Sequence, residues 1–298
     1  MTATLLSETP LPLPSASGVE IVGPTAYVVA DDAPFLYALD AATLDLTGRI
    51  QLFDTADFAL GRLPKARKPD LEALTACAWP GRGPGLLLLG SGSGPLRQVG
   101  YWLPLPARAA TPVQRLDLSA LYAAALAALP PGTLLNIEAA AASQSELLLL
   151  QRGLGAGAAG VLRFDLAAAL AHLAGAGPAP APGVQAYQLP EIAGCSAGFS
   201  GAAVAPDGRL WVTASVENTR DPVLDGPVLG SFVGVLDGAT GHATFARLAW
   251  ADGRAYTGKV EGLALVGTVA PGTGAQALLL VTDDDRGGST ALRAVAYP

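Results

Sequence analysis

Hydrophobic and polar positions along the chain fall into short runs, and the runs recur in a fixed order. Five similar segments open each cycle: Ser17-Gly-Val-Glu20-Ile, Asp70-Leu-Glu72-Ala-Leu, Asn136-Ile-Glu138-Ala-Ala, Gly198-Phe-Ser200-Gly-Ala and Lys259-Val-Glu261-Gly-Leu. Each sets one polar residue just ahead of small apolar ones. With Glu20, Glu72, Glu138, Ser200 and Glu261 as anchors, the spacings are 52, 66, 62 and 61 residues, and closing the circle through Pro298 adds 57. A period of about 60 residues that completes a circuit is what blades of four strands plus loops require.

After each anchor comes a β-rich run ending in polar residues. These are Ala26–Ala30 into Asp31-Asp32, Leu86–Leu89 into Gly90-Ser-Gly-Ser93, Leu147–Leu150 into Gln151-Arg152, Leu210–Thr213 into Ser215-Val-Glu217-Asn218, and Leu278–Val281 into Thr282-Asp-Asp-Asp285. Third strands follow at Phe35–Leu39, Arg97–Leu103, Gly160–Phe164, Ser231–Leu236 and Leu292–Tyr297. Fourth strands close the first four units at Arg49–Phe53, Val113–Leu116, Val184–Leu189 and Thr244–Trp250. Turn residues such as Pro206-Asp-Gly208 separate them. The fifth unit runs out of chain after its third strand, and Thr4–Leu11 stands unused before the first anchor. The predicted fold is therefore all-β, a five-bladed β-propeller over residues 1–298, with the N-terminal strand closing the last blade and removing an open edge. Leu118–Leu129 and Phe164–Gly175 are rich in Ala and Leu and lack β-branched residues, which predicts short helical insertions. Gly175–Gly183, with three prolines, is expected to be a surface loop.

Composition narrows the function classes. The formal charge of −7 disfavours a nucleic-acid partner, because an acidic surface repels phosphate backbones. The longest apolar runs are too short to span a bilayer, and Met1–Pro14 has neither a basic nor an apolar signal-peptide region, so the expectation is a soluble cytoplasmic monomer. Cys77 and Cys195 lack metal-ligand spacing and are expected to be free thiols. His172 and His242 have no partner at catalytic spacing, which argues against a His-based triad.

The candidate chemistry lies in the anchors. Inner strands of a propeller start near the central axis, so Glu20, Glu72, Glu138, Ser200 and Glu261 are expected to converge there. Converging carboxylates must take up protons or hold a cation. Hard oxygen ligands in such a ring suit Ca²⁺ better than Zn²⁺. The competing expectation is that the glutamates line a water-filled channel or cap backbone amides. A second polar tier is made by Asp31, Asp32, Ser91, Ser93, Gln151, Arg152, Ser215, Glu217, Asn218, Asp283, Asp284 and Asp285. It is expected about a strand's length from the anchors, around one mouth of the tunnel. Arg67, Lys68 and Lys259 flank two anchors, either as ion-pair partners or to meet an anionic ligand.

The segments resemble those of the calcium-activated nucleotidases (soluble apyrases), five-bladed propellers with a central calcium. The similarity lies in Gly198-Phe-Ser200-Gly-Ala, Pro206-Asp-Gly, Ser215-Val-Glu217 and Lys259-Val-Glu261-Gly-Leu. It implies Glu20, Glu72, Glu138, Ser200 and Glu261 as ligands of the ion, directly or through water. Asp31-Asp32 resembles that family's acidic pair, although Ala33-Pro34 stands where the family has an arginine. The chain is also similar to an uncharacterised bacterial propeller family, through Ser17-Gly-Val-Glu20, Lys68-Pro-Asp-Leu-Glu-Ala-Leu74, Leu89-Gly-Ser-Gly-Ser93, Leu135-Asn-Ile-Glu138 and Leu150-Gln-Arg152-Gly. Phytase-like esterase propellers are more distantly similar, which implies phosphate or ester chemistry only by analogy.

Two functions follow as expectations. One is a metal-dependent hydrolase of phosphate or other esters, with Asp31, Asp32 or Asp284 as general base and the substrate a small molecule at the tunnel mouth. The other is a non-catalytic binding or scaffold propeller in which a central ion only holds the blades together.

Overall fold

The uninterrupted apolar runs are strands buried on both faces. That property organises the computed structural model, which describes residues 1–58, 61–155, 158–218, 226–238, 240–269, 274–284 and 286–298. In chain order, β1 is Thr2–Leu11. Blade one is β2 (Ala16–Val22), β3 (Thr25–Ala30), β4 (Phe35–Asp40) and β5 (Leu46–Gln51). Blade two is β6 (Leu71–Trp79), β7 (Gly83–Gly90), β8 (Val99–Pro104) and β9 (Gln114–Asp117), followed by helix α1 (Ser119–Ala128). Blade three is β10 (Ile137–Ala142), β11 (Glu146–Gly155), β12 (Ala158–Asp165) and β13 (Gly183–Gln188), with helix α2 (Leu166–Leu173) before β13. A two-residue pair, β14 (Glu191–Ile192) and β15 (Cys195–Ser196), leads into blade four: β16 (Gly198–Val204), β17 (Leu210–Glu217), β18 (Val228–Leu236) and β19 (Ala243–Arg247). After β20 (Ala249–Trp250), blade five comprises β21 (Lys259–Thr268), β22 (Gln276–Asp283) and β23 (Ser289–Tyr297).

The chain closes as the leftover strand predicts. β1 pairs antiparallel with β23, Thr4 opposite Val295, and becomes an outer strand of blade five. One expected strand divides: Thr244–Trp250 breaks at the fully buried Leu248, and β20 leaves blade four to pair parallel with β1. Both helices form where expected. Asp165 caps α2, its Oδ1 accepting the Ala168 N–H at 2.8 Å.

The described residues form five cores, one between each pair of neighbouring blades, and the period-two alternation of the second strands feeds two at once. Leu86 and Leu88 of β7 pack towards blade one, while Leu87 and Leu89 pack towards blade three. In β11, Leu147 and Leu149 join the core with blade two, and Leu148 and Leu150 the core with blade four. Leu278 and Leu280 of β22 face blade four, and Leu279 and Val281 face blade one. Burying one such leucine contributes roughly 1.5–3 kcal/mol. The helices pack into the core between blades two and three, where the Tyr122 hydroxyl donates to the Gly90 carbonyl at 2.5 Å. No described helix is long and apolar enough to cross a membrane.

Candidate functional site

The first strand of every blade carries a bulge near its start. Ladder pairing skips Ser17 in β2, Glu72 in β6, Glu138 in β10, Ser200 in β16 and Glu261 in β21. A bulge leaves its residue out of the ladder and re-aims it. Each is followed by Gly or Ala (Gly18, Ala73, Ala139, Gly201, Gly262), because the strands crowd together there. A Cβ on Gly262 would lie 3.0 Å from the Gly18 Cα, and one on Gly201 would lie 2.9 Å from the Leu263 nitrogen. Around these residues the axis narrows to a space of about 10 Å³. It opens into a funnel of about 1340 Å³ that Ser17, Glu72, Glu138 and Glu261 also line.

Two of the five expected ring members are placed differently. Blade one contributes Ser17, not Glu20. Glu20 sits opposite Tyr27 farther along β2, and its Oε2 accepts the Ala76 N–H of blade two at 3.0 Å. Thr75 does the same one blade on, its Oγ1 accepting the Ala142 N–H at 3.0 Å. Ser200 occupies a bulge but is fully buried and does not line the funnel; its Oγ is 3.2 Å from Thr213 Oγ1 and 3.3 Å from Ser215 Oγ. Ser215 donates in turn to the Val260 carbonyl at 2.6 Å, tying blade four to blade five.

The second tier lies beside the anchors rather than a strand's length away, because antiparallel pairing returns the end of the second strand to the start of the first. Gln151 stands opposite Ile137, Ser215 opposite Gly198 and Asp283 opposite Lys259. Asp31, Asp32, Ser93, Gln151, Arg152, Ser215, Glu217 and Asp283 line the funnel. Ser91 is buried behind it, and Asn218 is exposed outside it. Asp284 is exposed as well: its Oδ1 accepts the Arg286 and Gly288 N–H groups at 2.8 and 2.7 Å, holding a turn, and its carboxyl stays below the ordinary range. Asp283, one residue earlier, takes the funnel position expected of Asp284. Asp285 lies outside the described residues.

Cations partner the converging carboxylates in two groups. Across blades three to five, Arg152 bridges Glu138 at 3.0 Å and Glu217 at 3.2 Å, and Lys259 bridges Glu217 at 2.9 Å and Glu261 at 2.7 Å. Arg152 crosses to blade four over Gly198, where a Cβ would lie 2.6 Å from the Arg152 Cγ. Across blades one and two, Lys68 pairs with Asp31 and, at 2.9 Å, with Asp70; Arg97 reaches Asp70 at 2.8 Å, and Arg62 pairs with Asp32. Among the described residues, Arg67 has no ion pair of this kind. Asp70, Arg62 and Arg97 did not stand out in the sequence as site residues. Asp70 has the one available signal, its place two residues before Glu72. It holds a left-handed backbone with φ of 57°, a conformation uncommon outside glycine that Asp tolerates better than most residues.

Carboxylate oxygens of Asp31, Asp70 and Glu72 all lie within 4.8 Å of one another. Burial and neighbouring carboxylates push Glu72 well above its ordinary pKa. Burial pushes Asp31 up to about 7 against the pull of Lys68, and Glu261 up to about 7 against Lys259. Asp31 Oδ1, Asp32 Oδ1 and Glu261 Oε2 are buried without a hydrogen-bond partner. The all-oxygen triad, to which only Asp31 Oδ1 of these orphaned acceptors belongs, fits a hard cation such as Ca²⁺, although the Lys68 ammonium already bonds two of the three triad carboxylates.

Residues 12–295 match the model of a family described as "Family of unknown function (DUF6929)". None of the curated proteins matches the sequence. Among solved structures, Myxococcus xanthus glutaminyl cyclase superposes over 99% of this chain and 97% of its own, at 12% identity and a TM-score of 0.50, a likeness of fold. Kuenenia stuttgartiensis hydrazine synthase covers 92% of this chain and 78% of its own, at 14% identity and a TM-score of 0.43.

Proposed function

We propose, for a chain that belongs to the DUF6929 family, that the funnel binds a small polar molecule beside a divalent cation held by Asp31, Asp70 and Glu72. The observation that carries this reading is the convergence of those three carboxylates from two blades, within 4.8 Å of one another. Their hard oxygens suit calcium, which would supply a fixed positive charge facing the ligand. The ion and Lys68 compete for the same oxygens, so affinity depends on how easily the ammonium yields. Calorimetric titration with Ca²⁺ after chelation should give one site per chain, and Glu72→Gln should weaken it at least about tenfold. Titration without heat in the unaltered protein would remove the reading.

One observation favours a second, catalytic reading. Asp31, pushed up to about 7 by burial, can hold or release a proton near neutrality, as a general base must. In that reading the funnel hydrolyses phosphate or other esters, with Asp31 taking the proton of a water and Asp32 beside it. A screen of phosphomonoesters, nucleotides and lactones with added Ca²⁺ tests it. Any activity found should vanish in Asp31→Asn while the fold persists.

A further inference from the structure

The chain has three lysines against fifteen arginines, and all three, Lys65, Lys68 and Lys259, line the funnel. Of the arginines, Arg62, Arg97 and Arg152 line it among the described residues. Charge alone does not explain that choice, because arginine supplies positive charge over the rest of the molecule. The two cations differ in shape: a guanidinium is a planar fork that matches one carboxylate at a time, whereas an ammonium is a compact point charge with three diverging N–H groups. Lys68 uses that shape. Its Nζ pairs with Asp31 Oδ2 and, at 2.9 Å, with Asp70 Oδ1, carboxylates delivered by blades one and two. Burial would lower its pKa, but the charges of Asp31, Asp70 and Glu72 outweigh burial and raise it above the ordinary lysine range, so the group stays a cation. The three carboxylates that draw this ammonium are the three of the cation site.

The site keeps its form without that ammonium. Ser91 Oγ donates to Asp70 Oδ2 at 2.6 Å and Arg97 Nη1 lies 2.8 Å from the same oxygen, so Asp70 stays placed when Lys68 leaves. Among the described residues the triad's ion-pair partners are Lys68 and Arg97, two positive charges against three negative ones. A divalent ion in place of Lys68 makes the charges equal. A monovalent ion only repeats the charge it displaces, and it has no tether to keep it at high local concentration. The displaced side chain has room: Lys68 lines a funnel of about 1340 Å³, and its backbone N–H is bonded to the Pro64 carbonyl at 3.1 Å, so the side chain alone can swing. We infer that Lys68 is a tethered occupant of the cation site, seated on Asp31 and Asp70 until a divalent cation drives its ammonium into the funnel, and that the tether closes the site to monovalent ions. The inference rests on the calcium reading above and adds what controls entry.

The test is nuclear magnetic resonance of the full chain carrying heavy nitrogen at lysine Nζ, where three lysines give at most three ammonium signals. The signal missing from Lys68→Met is that of Lys68. If Lys68→Met fails to fold, Lys65→Arg and Lys259→Arg assign it by elimination. After stripping with EDTA, added calcium should shift the Lys68 signal to the position of an exposed ammonium, or lose it to exchange with water, with the change complete at one ion per chain. The Lys259 signal, held between Glu217 and Glu261, should stay where it is. Potassium at the same ionic strength should move neither. Calorimetric titration of the same sample with calcium separates the outcomes. Heat of binding with an unmoved Lys68 signal would leave the calcium site standing and overturn this inference. No heat and no movement would remove both. A Lys68 signal that potassium shifts as far as calcium does would be salt screening of an ordinary ion pair, and would overturn the inference as well.

Discussion

Glu20 and Glu261 are the same residue type in similar segments, yet one caps a backbone amide and the other lines the funnel. The difference is three positions of strand. Ser17 precedes Gly18 as Glu261 precedes Gly262, whereas Glu20 precedes Ile21. The small residue forced by crowding marks the bulge better than the carboxylate does. Burial lifts Glu20 to about 7 from an ordinary 4.5. Between those values the folded state keeps a proton that the unfolded chain has released, so this contribution to stability falls as pH rises through that window. Glu20→Gln keeps an acceptor for the Ala76 N–H and removes the titration. Thermal melts should show the variant losing less stability between about pH 5 and about pH 8, with a gain of about 1–3 kcal/mol at the upper end. Lys68→Met removes the ammonium that occupies Asp31 and Asp70. Calorimetry should find calcium binding tightened about tenfold, with the calcium-free protein less stable. Gly198→Ala would push the Arg152 side chain off its path; a melt should register a loss of about 1–3 kcal/mol.

Single strands show how far local pattern carries. The second strands were legible because both faces are buried, leaving runs such as Leu86–Leu89 with no polar interruption. The helices were legible from Ala and Leu without β-branching. The break at Leu248 was not: Thr244–Trp250 has no turn residue, and the break follows from β1 arriving alongside β20, a contact between segments far apart in the sequence. The second tier was legible in composition but misplaced by a strand's length until antiparallel register was applied. The Ser200–Ser215–Val260 connection has no local signature, since it links blades through single hydroxyls. β1 carries the closure, with Leu5 1% exposed in the core between blades four and five. Deleting residues 1–12 should expose β23 and cost several kcal/mol, read as a fall in melting temperature. An unchanged transition would mean that β1 contributes nothing to closure.

For the molecule as a whole, five inter-blade cores fix the strands, and their bulges deliver polar side chains to one axis. That arrangement gathers eight carboxylates among the described residues into one funnel. Among the described lining residues, Arg152 and Lys259 face Glu138, Glu217, Glu261 and Asp283 across blades three to five, while four cations face Asp31, Asp32, Asp70 and Glu72 around blades one and two, where the carboxylates of Asp31, Asp70 and Glu72 converge. A divalent ion there should join blades one and two and stabilise the fold by mass action, by about 2.7 kcal/mol at a hundredfold excess over Kd. The most direct measurement is the melting temperature of the full chain in EDTA and in millimolar calcium, with Glu72→Gln alongside. The unaltered protein should melt higher in calcium, fall back on chelation, and lose most of that difference in Glu72→Gln. The same transition in EDTA and in calcium would contradict a cation site at Asp31, Asp70 and Glu72.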